Sequence, residues 1–88
     1  MIHLDNRYKI HDTETKELYV GVTSHYFKLS DAKDAYRNSL IGEGSDDSIL
    51  IEIAKIGASK VDGSVAFGVE EGEQFALALL NLCHSIRR

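Results

Sequence analysis

Eighty-eight residues, 43% hydrophobic and 27% charged, describe one globular domain near the lower size limit for independent folding, and they exclude disordered and fibrous classes. A net charge of −4 argues against the broad phosphate neutralisation on which nucleic-acid binding depends. The single cysteine excludes an internal disulfide framework, and no run approaches the roughly 18 apolar residues of a membrane span.

The opening MIHLDNRYKI lacks the basic head and apolar segment of a secretion signal, so a cytoplasmic protein without membrane association is expected. Residues 6–22, NRYKIHDTETKELYVGV, read as a hairpin, with β-favouring residues on either side of the polar turn HDTETKE. On its second arm Leu18, Val20 and Val22 alternate with Tyr19 and Gly21, which gives one apolar face. A short helix follows in LSDAKDAYRNSLI. Ser30 is positioned to cap it, Asp31 favours its positive end, and Ala32, Ala35, Tyr36 and Leu40 recur at helical spacing. GEGSDDS is then a loop.

Residues 49–56, ILIEIAKI, admit two readings. Ile49, Ile51 and Ile53 share a face at period two, and the density of β-branched residues favours a strand. A helix can also be drawn, capped by Asp46, Asp47 or Ser48 and ended by Gly57. The strand is preferred because VDGSVAFGV carries Val65, Phe67 and Val69 in alternation, with Asp62 and Gly63 suited to a tight turn, and such a strand needs a partner. The predicted fold is α+β in ββαββα order: one antiparallel sheet of about four strands with two helices packed on one face, all within residues 1–88.

The last segment, EEGEQFALALLNLCHSIRR, predicts a helix with an unusually wide apolar arc. Phe75, Leu79, Leu82 and Ile86 form a core stripe, while Ala78 on one side and Ala76, Cys83 and Leu80 on the other extend the arc to roughly 200°. Leu77 falls among the polar positions Gln74, Asn81, His84 and Arg88. The excess is either packing against a second element of the same chain or a patch closed by another chain, most simply the same helix of a two-fold partner. In the second case Tyr36, Ala76, Leu77, Leu80 and Cys83 are the candidate interface, and Leu77→Lys is expected to weaken assembly without unfolding the domain.

Little else points to chemistry. Cys83 and His84 are adjacent on a helix and point about 100° apart, so they do not form a nucleophile–base pair. His3, His11, His25 and His84 lack any spacing that would put two metal ligands on one face, and no cofactor motif is present. The acidic loop IGEGSDDS would repel a phosphate. Glu43, Asp46, Asp47, Glu70, Glu71 and Glu73 form a candidate acidic patch if the loop after the first helix lies near the start of the last one.

The sequence therefore leads to a small acidic, non-enzymatic interaction or regulatory module. Its expected partner is a second copy of the chain, bound through the C-terminal helix, or another protein. The alternative is an acidic inhibitor or nucleic-acid mimic, of the kind found in mobile elements, that binds a basic protein. A small enzyme or ligand-binding protein is a third possibility.

Overall fold

Between residues 8 and 88, the part of the chain that the computed structural model describes, the β-favouring segments pair into a single antiparallel sheet. His3 and the first two residues of the predicted hairpin segment lie outside the described residues. Strands β1 (Tyr8–His11), β2 (Leu18–Ser24), β3 (Ile49–Lys55) and β4 (Gly63–Phe67) stand in the order β1-β2-β3-β4. Helix α1 (Leu29–Leu40) joins β2 to β3, and α2 (Val69–Arg87) ends the chain, so the expected ββαββα order and α+β class are observed. Residues 49–55 are a strand. Their β-branched side chains fit the pleated surface, and both neighbours supply matching partners.

The register sorts the side chains onto two faces. Tyr8, Val22, Ile51 and Val65 lie opposite one another across the sheet, as do Ile10, Val20 and Ile53, so one face is apolar over all four strands. The opposite face is mixed, with one row of Lys9, Gly21, Glu52 and Ser64 and another of His11, Tyr19 and Ala54. On the mixed face the Lys9 ammonium sits 4.6 Å from the Tyr19 ring centroid.

The turns follow from local side-chain chemistry, with two departures from expectation. Between β1 and β2 the Asp12 carboxylate accepts hydrogen bonds from the Glu14 and Thr15 amides at 3.1 and 2.7 Å, an Asx-type closure of the polar turn. Between β3 and β4 the chain does not turn at Asp62–Gly63 as predicted. Gly63 is already paired with Ile53, and the reversal is made by a longer loop in which Gly57 adopts φ +80° and the Ala58 amide bonds to the Lys55 carbonyl. A two-residue turn at 62–63 would shift the pairing that sets Ile51 against Val65 and Ile49 against Phe67. The second departure is at α1, which begins after Lys28 with no side-chain cap, so Ser30 lies within the first turn.

Segment 46–48 ties the chain together at one end of the sheet. Asp46 Oδ2 accepts the Val69 amide at 2.8 Å and Oδ1 accepts the Ser48 amide at 3.0 Å, so this loop carboxylate caps the N-terminus of α2 from 23 residues away. Glu71 adds a local cap by accepting the Gly68 amide at 3.0 Å. Asp47 accepts a 2.6 Å hydrogen bond from the Tyr26 hydroxyl, which pushes the Tyr26 pKa up, and its backbone carbonyl lies 2.7 Å from His25 Nδ1. Ser48 is buried, and its Oγ makes no hydrogen bond among the described residues, though its proximity to Asp46 still favours the ionised carboxylate.

Gly68 is needed at this junction because of close approach. A Cβ there would stand 2.6 Å from Asp46 Oδ2 and 2.8 Å from its Cβ and Cγ. Gly68→Ala is therefore expected to displace the Asp46 cap and to lower stability by about 1–3 kcal/mol, measurable as a shift in the urea midpoint.

The core that results is small. Ala32 on α1 and Ala54 on β3 are the buried apolar side chains among the described residues, while Ala35, Tyr36, Leu50, Ile51 and Phe67 are half-buried. α2 meets the sheet only near its start. At Gly72 a Cβ would lie 2.8 Å from Ile49 Cδ1, and the Phe67 and Phe75 rings meet edge-on with centroids 6.4 Å apart. Beyond that point the helix continues with no buried residue along its length.

Candidate functional site

The divergence of α2 from the sheet opens an apolar cleft. Its floor is the apolar sheet face at Ile10, Val20, Val22 and Ile51, and its wall is the first half of α2 at Gly72, Phe75, Ala76 and Leu79. Phe67 and Val69 close the narrow end, and the space between floor and wall is about 540 Å³. Almost no polar atom lines it apart from Glu73 at the rim. An apolar space of this size open to water is unfavourable in an isolated chain, because each exposed methylene forfeits roughly 0.8 kcal/mol of burial.

The four residues of the predicted core stripe are therefore not core residues within the protomer. Phe75, Leu79, Leu82 and Ile86 are 56%, 50%, 57% and 74% exposed. The wheel placed them correctly as one stripe, but the sheet lies beneath only its first half. By helical spacing, Leu82, Cys83 and Ile86 continue the cleft-facing side of α2 into solvent.

The predicted interface residues separate into three groups. Ala76 lines the cleft, and Leu80 and Cys83, one and two turns further on, are exposed along its flank. Leu77 is half-exposed and, at about 100° per residue, projects from the side of α2 away from the cleft. Tyr36 is not with them. It lines a groove at the base of α2 together with Ser39, Leu40, Asp46, Glu70 and Glu71.

That groove brings Asp46, Glu70 and Glu71 together, and Glu73 lies next to Glu70 and Glu71 along the first turns of α2. Glu43 stands exposed just after α1, where its amide bonds to the Asn38 carbonyl. Asp46 and Asp47 have structural work as hydrogen-bond acceptors, so the carboxylates left for an external partner are Glu43, Glu70, Glu73 and, beyond its bond to Gly68, Glu71. On the mixed face of the sheet a further recess of about 410 Å³ is bordered by Lys9, Tyr19, Thr23, Tyr26 and Glu52.

Among the described residues no group of His, Cys, Asp and Glu is arranged to hold a metal ion, and no helix is long and apolar enough to cross a membrane. Comparison with known proteins finds no matching family model, no matching curated protein and no matching solved structure. The cleft and the exposed half of α2 are thus the features from which a function can be argued.

Proposed function

We propose that this chain is a small cytoplasmic interaction module that works as a homodimer built on α2. The observation that supports the reading is the apolar surface that the described residues leave bare. The chain exposes 7340 Å², against about 5,200 Å² for a compact monomer of its size by surface scaling. Setting aside up to about 1,300 Å² for the seven residues outside the described range still leaves an excess near 900 Å². An excess between about 900 and 2,200 Å² per chain spans the range from a standard interface to that of an obligate homodimer.

The bare surface is apolar where an interface core would be, on α2 and the cleft floor, and charged around it at Glu70, Glu71, Arg87 and Arg88. The alternative of an acidic inhibitor draws on fewer groups, since Asp46 and Asp47 are engaged within the fold. Sedimentation equilibrium tests the proposal. Twice the chain mass at micromolar concentration is expected, and a strict monomer up to 100 µM would overturn the homodimer.

A further inference from the structure

We infer that each cleft is filled by the C-terminal half of α2 from a second copy of the chain, the two helices running antiparallel about a two-fold axis near Leu79. This inference rests on the homodimer reading and specifies its geometry.

The argument begins with the stripe on α2. Its first half, through Phe75 and Leu79, faces the sheet across an open cleft, and its second half, through Leu82 and Ile86, has the same chemistry but no sheet beneath it. Among the described residues nothing fills the first half, a hole, and nothing covers the second, a knob. A two-fold contact presents the same patch from both chains, so a chain that carries both hole and knob can satisfy both at once. An antiparallel arrangement does this, because it lays the bare half of each helix over the cleft of the other. A parallel pairing would set bare half against bare half and leave both clefts open.

Charge selects the same direction. With Leu79 on the axis, the acidic first turn of each α2, Glu70 and Glu71, lies at the same end of the pair as the basic last turn of the other, Arg87 and Arg88. Among the described residues, neither Arg87 nor Arg88 has an ion-pair partner within the protomer. Parallel helices would oppose like charges at both ends instead, and like-charge juxtaposition disfavours a complex. Ala76, a small side chain on the cleft wall beyond the point where Gly72 meets Ile49, leaves room for a second helix at about 8–10 Å between axes.

The test uses single cysteines in a Cys83→Ser background. Leu79→Cys places a thiol at the axis, and mild oxidation should convert most of the protein to a covalent dimer, while Leu77→Cys, on the far side of α2, should stay more than ten-fold less cross-linked. The reverse pattern would overturn the inference while leaving the homodimer standing; a monomer in sedimentation would remove both.

A measurement on the wild-type protein covers the case in which a variant does not fold. Cys83 is exposed in the protomer but falls opposite the partner's Phe75 in the proposed pair. Maleimide should therefore react with native protein at least ten-fold more slowly than with protein unfolded in urea. Equal rates, or a Cys83–Cys83 disulfide forming readily on oxidation, would overturn the antiparallel seating.

Discussion

Leu79→Lys should leave a monomer at concentrations where the wild-type protein is dimeric, with the dissociation constant raised at least about 100-fold, or roughly 2.7 kcal/mol. The size of the effect follows from the two-fold axis, which brings two substituted side chains together so that two ammonium groups would be desolvated side by side. Within the protomer Leu79 is half-exposed, so the same substitution costs the isolated fold little, and a large loss must come from the partner. Leu77→Lys separates this account from the one drawn on a helical wheel alone. Leu77 has a similar exposure but lies away from the cleft, and its substitution should change the dissociation constant by less than about threefold, as for ordinary surface positions.

Sedimentation of the two variants side by side reads the difference directly. Melting supplies a second check. If folding and assembly are linked, the wild-type midpoint rises with protein concentration, while that of Leu79→Lys is lower and nearly independent of it. An unchanged dissociation constant for Leu79→Lys would place the contact elsewhere on the molecule.

The fold was legible because period-two alternation and helical spacing are local properties. Ile49, Ile51 and Ile53 marked β3, Val65 and Phe67 marked β4, and the 3.6-residue pattern marked both helices. Turn placement was less legible. Asp62–Gly63 has the composition of a tight turn, but the pairing of Ile51 with Val65 overrides that preference and pulls Gly63 into the strand. The width of the apolar arc on α2 was also visible. What no periodicity reveals is how far along a helix the sheet extends beneath it, so Leu82 and Ile86 read as core although only Phe75 and Leu79 face the sheet. The role of Asp46 was hidden for a related reason. A carboxylate in an acidic loop looks like a solvated charge until the fold brings Val69 to it across 23 residues.

That loop carboxylate carries the second large effect. Asp46→Ala should destabilise the protein by about 1–3 kcal/mol, since it removes the acceptor for two backbone amides, Val69 at the start of α2 and Ser48 at the entry to β3. The loss should be seen as a lower urea midpoint and as faster hydrogen exchange at Val69. Asp46→Asn should cost less but not nothing, because a carboxamide has one acceptor oxygen where the carboxylate uses both.

Acid titration distinguishes the cap from mere filling of space. Burial alone would raise the Asp46 pKa, but the hydrogen bond from Val69 and the contacts with Ser48 outweigh it and hold the group below its ordinary value of 3.8. The native carboxylate then binds protons less readily than the unfolded one. Its contribution is present above about pH 4 and is lost as the pH falls through the native pKa. The stability difference between wild type and Asp46→Asn should therefore narrow on acidification below pH 4 and stay constant between pH 5 and 7. A difference that does not change on acidification would mean that the charge of Asp46 does not hold α2 in place. Because α2 carries the cleft wall, fraying its first turn should also weaken the assembly, and Asp46→Ala is expected to dissociate more readily than Asp46→Asn in the same sedimentation experiment.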